Sequence, residues 1–348
     1  MEAVQALIDS IRAEFVPDAR AVVFDVETEL KGSTLTLRGT ASHTEAASAL
    51  VERARALNGI TRVIDRIVRL PAEMGDRSAA LVRVALAPLY RAPSLAGPHI
   101  SQYVLGHRLD VLEKRDAWLR VRGEDGYLGW THAGYLELGT RAWAQRWERG
   151  EDGEPVVSLG AELQDDLGNT FARLPWGARI VAEAPSRLRL PDGRRGRLAA
   201  GEVVAVDRLL DRFPPRGVSV ARTARRWLGI PYLWGGTTPA GVDCSGFVQS
   251  IYWMHGVALP RDSDQQARLG QTIDIDDSLD APRAGDLLFF TEAEERITHV
   301  ALSLGRAHIL HSAVSNGCVD LNDLQGDRTL EQQLRSGLVA IRRLLPDS

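Results

Sequence analysis

At 348 residues the chain is too long for one ordinary domain and suits roughly two to four. Hydrophobic residues at 44% and charged residues at 25% are ordinary for a globular protein, and a net charge of −4 gives no reason to expect nucleic acid or an anionic membrane as a partner. Two cysteines, Cys244 and Cys318, make no disulfide framework, and no apolar run is long enough to span a bilayer.

Val4, Leu7, Ile8, Ile11 and Phe15 share one helical face, and Pro17 stops that helix. Glu2, Asp9 and Glu14 interrupt the same stretch, so it lacks the basic region and apolar core of a signal peptide. The chain as given therefore reads as cytoplasmic, and a free reactive thiol suits that reducing compartment. Val22, Phe24 and Val26 alternate as a strand, and Leu35 and Leu37 as a second. Ser42-His43-Thr44-Glu45 reads as a capping box opening another helix, Asn58-Gly59 closes it, and Val63 to Leu70 is a last strand. This αββαβ unit, residues 1–75, resembles a BON domain. The resemblance implies a small structural, dimerising or binding unit.

Residues 78–140 are rich in short strands: Leu81 to Ala85, Arg108 to Glu113, Trp118 to Arg122 and Tyr127 to Thr131, with turn residues between them. Ala117-Trp118-Leu119-Arg120-Val121 followed by Gly126-Tyr127-Leu128-Gly129-Trp130 is similar to the signature of a bacterial SH3 domain. Residues 141–213 continue in that style, with a hairpin signal at Arg187 to Gly193, and are read as a second, divergent SH3-like barrel. Pro214-Pro215-Arg216-Gly217 is a short stiff linker into residues 217–348.

That last region carries the chemistry. Pro231 to Gly236 is a glycine-rich loop, and Cys244 opens a helix whose apolar face is Phe247, Val248, Ile251 and Tyr252, with Gly256 as its stop. A thiol at a helix N-terminus sits where unpaired N–H groups and the helix dipole favour an anion, which would lower its pKa. Ile297 to Leu304 and His308 to Ala313 read as strands, and alternation sends His299 away from Val300, Leu302 and Leu304. Cys244, His299 and His311 then supply a nucleophile, a base and a group to orient the base. If the strands are joined by a three-residue loop, Leu304-Gly305-Arg306, the two histidines stand directly opposite each other. No Cys-x-x-Cys or His-x-x-x-His spacing supports a metal site, and no cofactor is implied.

Six segments occur in sequence: Tyr232-Leu233-Trp234-Gly235-Gly236, Asp243-Cys244-Ser245-Gly246, Arg261-Asp262-Ser263, Gly285-Asp286-Leu287, His299-Val300-Ala301 and Ile309-Leu310-His311-Ser312. In this order they resemble the successive motifs of the NlpC/P60 cysteine peptidases. The resemblance covers about the last third of the chain. It implies a multi-domain α+β protein with a papain-like catalytic domain, a Cys244-His299-His311 triad and murein peptides as substrate. It further implies cleavage of the D-γ-glutamyl–diamino acid bond in short peptides with a free N-terminal L-Ala. Tyr232 would donate its hydroxyl to the oxyanion hole. Asp243, whose bland role is to cap the helix, would hold the substrate's free amine. Ser245 and Ser263 would contact substrate, Ser263 having a second reading as the cap of a Ser-x-x-Gln helix start. Tyr127 would close the far end of the pocket. Two other readings are a secreted wall hydrolase anchored by its SH3-like domains and a catalytically dead peptide-binding protein.

Overall fold

The structure, a computed structural model, describes residues 1–346 apart from 73, 152, 185, 277 and 292–295. Its first unit runs α1 (Glu2–Phe15), β1 (Phe24–Lys31), β2 (Thr34–Ala41), α2 (Thr44–Arg55) and β3 (Arg62–Arg69). β1 and β2 are antiparallel and β3 lies parallel to β2; the helices bury Ile8, Ile11 and Leu50 with Leu35 and Leu37 of the sheet. Ser42 is not the cap of α2. His43 takes that place, Nδ1 accepting from the Ala46 N–H at 3.3 Å, while Ser42 Oγ accepts from the Val23 N–H at 2.9 Å and ties the start of the β1 region to the helix entry.

Seven strands follow: β4 (Ala79–Val82), β5 (Leu86–Tyr90), β6 (His99–Val104), β7 (Arg108–Arg115), β8 (Trp118–Arg122), β9 (Leu128–His132) and β10 (Leu136–Gly139). They are ordered β10-β4-β7-β8-β9-β5-β6. The expected strand at Leu81 to Ala85 is really the end of β4 and the turn after it. Next come α3 (Arg141–Arg149), β11 (Glu154–Gln164), β12 (Thr170–Ala184), β13 (Arg187–Arg189) and β14 (Arg195–Ala205), the four strands closing into a barrel. The strand-only reading from residue 141 missed α3. Thr140 caps this helix, its Oγ1 accepting from the Trp143 N–H at 3.0 Å, and Gly150 ends it at φ 63°. Its Ala144 and Trp147 fill the seam between Leu81 of the first sheet and Val181 of the barrel.

The remaining elements are α4 (Leu209–Arg212), α5 (Gly217–Arg225), β15 (Thr237–Thr238), β16 (Gly241–Val242), α6 (Cys244–Met254), α7 (Ser263–Gln266), β17 (Gln271–Ile273), β18 (Leu287–Phe290), β19 (His299–Gly305), β20 (His308–Ala313), β21 (Cys318–Asp323), α8 (Thr329–Gly337) and β22 (Leu338–Arg343). The six longer-range strands form one antiparallel sheet, β17-β22-β18-β19-β20-β21. Phe247, Val248 and Ile251 of α6 pack on its Val300, Leu302 and Leu310 side, while Ala301 and Ile309 face Leu334 of α8. A helix carrying the thiol against an antiparallel sheet carrying the histidines is the α+β arrangement expected.

The β19–β20 turn departs from expectation. Leu302 pairs with Leu310 and Ser303 with Ile309, then the register slips so that Gly305 faces His308. Gly305 at φ 110° and Arg306 at φ 53° absorb this bulge. Continuing the register sets His311 beside Ala301, so His299 lies on the same face but diagonally across from His311, not opposite it. Diagonal neighbours on one face remain within reach of long or aromatic side chains.

Candidate active site

The loop before α6 is fixed by its own backbone. Tyr232 N–H donates to Gly317 O at 2.9 Å, Leu233 N–H to Val242 O at 3.1 Å and Gly236 N–H to Leu233 O at 2.9 Å. Gly235 adopts φ 77°, and a Cβ there would meet His99 of β6 at 2.8 Å; one at Gly246 would lie 2.1 Å from Gly236 O. Only glycine lets the loop, the first sheet and the start of α6 approach this closely.

Asp243 caps α6, its Oδ1 accepting from Gly246 N–H at 2.7 Å, and it also clamps the loop, its Oδ2 accepting from Gly235 N–H at 2.8 Å. Both oxygens are further held by Arg261, Nη1 at 3.0 Å and Nη2 at 2.5 Å, in a pair whose side chains are only 8% and 2% exposed. Arg261 spends its other donors on Ser245 Oγ at 2.8 Å and, through Nε, on Ser101 Oγ of β6 at 3.0 Å. Asp243, expected to accept a substrate amine, lines the cavity and is engaged within the protein. A carboxylate has about four lone-pair sites, and two backbone N–H groups with a guanidinium fork already fill them. Ser245 belongs to the same network. Arg261, which balances the charge beside the nucleophile, was quoted in a motif but given no task by sequence reasoning.

Cys244 is half-buried, and burial together with the neighbouring Asp243 carboxylate pushes its thiol up to about 12; the backbone N–H groups of Val300 and Ser245 and the charge of Arg261 pull the other way. The expected lowering at a helix N-terminus is therefore overridden by desolvation. The N–H of Val300, next in the chain to His299, reaching the sulfur also places the start of β19 against the thiol.

His299 Nε2 lies 2.7 Å from His311 Nδ1, and His311 Nε2 lies 2.8 Å from Asn322 Oδ1. Asn316 Nδ2 donates to that same Oδ1 at 3.0 Å, so Asn322 presents its carbonyl oxygen. The proton positions follow. His311 Nε2 lies 2.8 Å from Asn322 Oδ1 and 3.4 Å from Asn316 Nδ2; when its hydrogen goes to the nearer oxygen, Nδ1 is left bare to accept from His299 Nε2–H. His299 Nδ1 is then the unprotonated nitrogen, ready to act as a base. Burial and the neighbouring imidazole hold the His299 pKa well below its usual value, and burial lowers that of His311. Asn322 and Asn316 escaped the sequence reading.

A cavity of about 1860 Å³ takes in Cys244, His299 and His311, with Tyr232, Ser263 and Tyr127 also on its walls. Ser263 does not cap α7. Asp262 does, its N–H donating to Gln265 Oε1 at 3.4 Å, and the Tyr127 hydroxyl reaches Asp262 Oδ2 at 3.1 Å. Among the described residues no group of three or more His, Cys, Asp or Glu is arranged to hold a metal ion, and no helix is long and apolar enough to cross a membrane.

Comparison with known proteins decides the family. Residues 229–337 match the model of the NlpC/P60 family, and residues 89–133 that of the bacterial dipeptidyl-peptidase Sh3 domain. The murein DD-endopeptidase MepS/murein LD-carboxypeptidase of Escherichia coli K12 is 35% identical over 48% of this chain and 81% of its own length. The chain belongs to the NlpC/P60 family. With it the protein is a cysteine peptidase, built from an NlpC/P60 domain and a bacterial SH3 domain. The gamma-D-glutamyl-L-lysine dipeptidyl-peptidase of Bacillus cereus is 28% identical across 71% of this chain and 75% of that one. A crystal structure of an NlpC/P60 family protein from Bacillus cereus superposes with a TM-score of 0.64 at 25% identity, covering 77% of this chain and all of the other. Both family matches begin after residue 88, so the αββαβ unit lies outside them.

Proposed function

We propose that this NlpC/P60 peptidase hydrolyses the D-γ-glutamyl–diamino acid bond of short murein peptides that carry a free amino end, in recycling of wall peptides. The observation that carries this reading is the shape of the site. The nucleophile and its histidines open into one cavity whose other walls come from the SH3 unit and the αββαβ unit, so these units bound the space in which a peptide end would lie.

The chemistry follows from the proton positions. His299 Nδ1 takes the thiol proton of Cys244 as the sulfur attacks the scissile carbonyl, so no buried thiolate has to exist beforehand. The Tyr232 hydroxyl and the Cys244 N–H, at the first turn of α6, receive the oxyanion. His299 returns the proton to the leaving amine, then activates water to break the thioester. His311 and Asn322 hold the imidazole in the tautomer that makes this work.

Recognition of the amine falls to Asp262 in place of Asp243. Its Oδ2 is shared by Tyr127 and Arg20 and its Oδ1 is approached by Tyr127 at 3.4 Å, the side chain also serves the Gln265 N–H in the α7 capping box, and the carboxylate lines the cavity. A charge-assisted bond to an ammonium is worth about 1.5–3 kcal/mol, so acylating the amine should cost roughly 10- to 150-fold in kcat/KM. The test compares L-Ala-γ-D-Glu-diaminopimelate with its N-acetyl form, products being read by mass. Equal rates would overturn the preference for a free amine, cleavage of intact murein would favour a wall hydrolase, and turnover of neither peptide would overturn the substrate assignment.

The pH profile should carry the signature of a depressed histidine. The working His299 is neutral, and activity disappears only when it is protonated. Because its folded-state pKa is held below the ordinary value of about 6.5, the acid limb of kcat/KM should fall below that pH. A midpoint at or above 6.5 would contradict the neutral, desolvated base.

A further inference from the structure

The αββαβ unit has no assigned task, yet the chain leaving α1 enters the catalytic cavity: Pro17, Asp18, Ala19 and Arg20 all line it. This segment is anchored on both sides. Leu128 of β9 donates its N–H to Arg20 O at 2.8 Å, and Gln265 Nε2 of α7 donates to Asp18 Oδ2 at 2.6 Å. Around it the unit is seated on the SH3 unit through a buried apolar cluster, Val23 and Leu70 against Leu112 and Leu128, and through Arg120 to Asp25 at 2.6 Å. Apolar burial and ion pairing together make this a fixed wall.

Arg20 is the node. Its Nε and Nη2 donate to the two oxygens of Asp18 at 2.8 and 2.7 Å, Nη1 donates to Asp262 Oδ2 at 2.8 Å and Asp264 Oδ1 at 2.7 Å, and Nη2 to Asp264 Oδ2 at 2.8 Å. The full set of guanidinium N–H donors is in use, in a planar fork that a lysine could not reproduce. Arg268 adds a longer ion pair to Asp264 at 3.7 Å, and Arg20 and Tyr127 converge on a single oxygen of Asp262.

We propose that the αββαβ unit is part of the active site and that Arg20 is a specificity-determining residue. By fixing Asp262 from one side while Tyr127 fixes it from the other, it turns the second carboxylate oxygen toward the incoming ammonium, and the Pro17–Arg20 segment limits how much can lie beyond that group. This rests on the free-amine peptidase reading above. The role is one of positioning: Arg20 acts through Asp262 and takes no part in bond making.

Three full-length variants test it, each with the free and the N-acetyl tripeptide. Arg20→Gln should raise KM for the free peptide about tenfold with kcat within threefold, and lower the free-to-acetyl ratio of kcat/KM about tenfold, as expected when a charge-assisted contact is misaligned. Arg20→Lys keeps the charge without the fork and should fall between Gln and wild type. Ala19→Trp leaves the ion pairs alone and narrows the cavity end, and should raise KM severalfold at unchanged kcat. A KM and a ratio within twofold of wild type in both Arg20→Gln and Ala19→Trp would overturn the proposal, as would an equal loss on both peptides through kcat. Failure of the wild-type enzyme to cleave the free peptide would instead overturn the substrate assignment, so the two failures are distinguishable.

Discussion

Cys244→Ala is expected to lower turnover of the free tripeptide by at least about 10⁴-fold, the scale on which removal of a covalent nucleophile is felt. It should do so without unfolding the protein. The sulfur packs only partly into the core between α6 and the sheet, and Asp243 continues to cap the helix through Gly246 N–H. Cys318 is the internal control. It lies on β21 with a weak contact from Sγ to Asn316 O at 3.5 Å, and Cys318→Ala should leave kcat within about threefold. Alkylation rates are the wrong measurement, because a thiol pushed up to about 12 is not a standing thiolate at neutral pH. Acid quenching during turnover, followed by peptide mass mapping, should find the acyl group on the peptide holding Cys244. Finding it at Cys318, or retaining a few per cent of turnover in Cys244→Ala, would remove Cys244 from the role of nucleophile.

How much of this was legible in the sequence depended on whether the cause was local. α6 could be read because the Asp243 cap, the apolar period through Phe247 and Ile251 and the Gly256 stop all lie within one short stretch. The two histidines could be read because alternation along a strand is local too. Their mutual register could not, since the slip between Ser303 and Gly305 is set by the turn and by how β20 lies against β21. β5 was hidden by Pro88, which punctuates an apolar run in sequence. In the structure Pro88 sits opposite Gln102, in a strand that meets its other neighbour, β9, only at Tyr90, so little of the ladder needs the missing N–H. The cap of α2 was misplaced because a serine hydroxyl had a better use across the unit, at Val23 N–H. The rest of the site consists of partners brought together only by folding. Arg20 meets Asp262 and Asp264 from more than two hundred residues away, and Asn322 reaches His311 from the neighbouring strand. Nothing near Asp243 in sequence told whether its positive partner was a substrate or Arg261.

That last ambiguity yields the second large effect. Arg261→Met should destabilise the protein by about 3–5 kcal/mol in chemical denaturation, because it leaves a buried carboxylate without its cation; the pair is nearly inaccessible to water. The loss should reach catalysis as well. Arg261 is one of the charges that pull the Cys244 thiol down against Asp243, so its removal pushes that thiol further up and slows proton transfer to His299. Asp243→Asn should be costly for the converse reason: it strands the guanidinium, and one of the two oxygens that serve Gly235 and Gly246 becomes a donor. The double variant Asp243→Asn/Arg261→Met removes both charges at once and keeps a cap at the start of α6. It should therefore be less destabilised than the sum of the two single changes, with a coupling of about 1–3 kcal/mol. If Arg261→Met cost less than about 1 kcal/mol, or if the two changes were simply additive, the pair would not be what holds the nucleophile's helix, the glycine-rich loop and the SH3 strand together around the site.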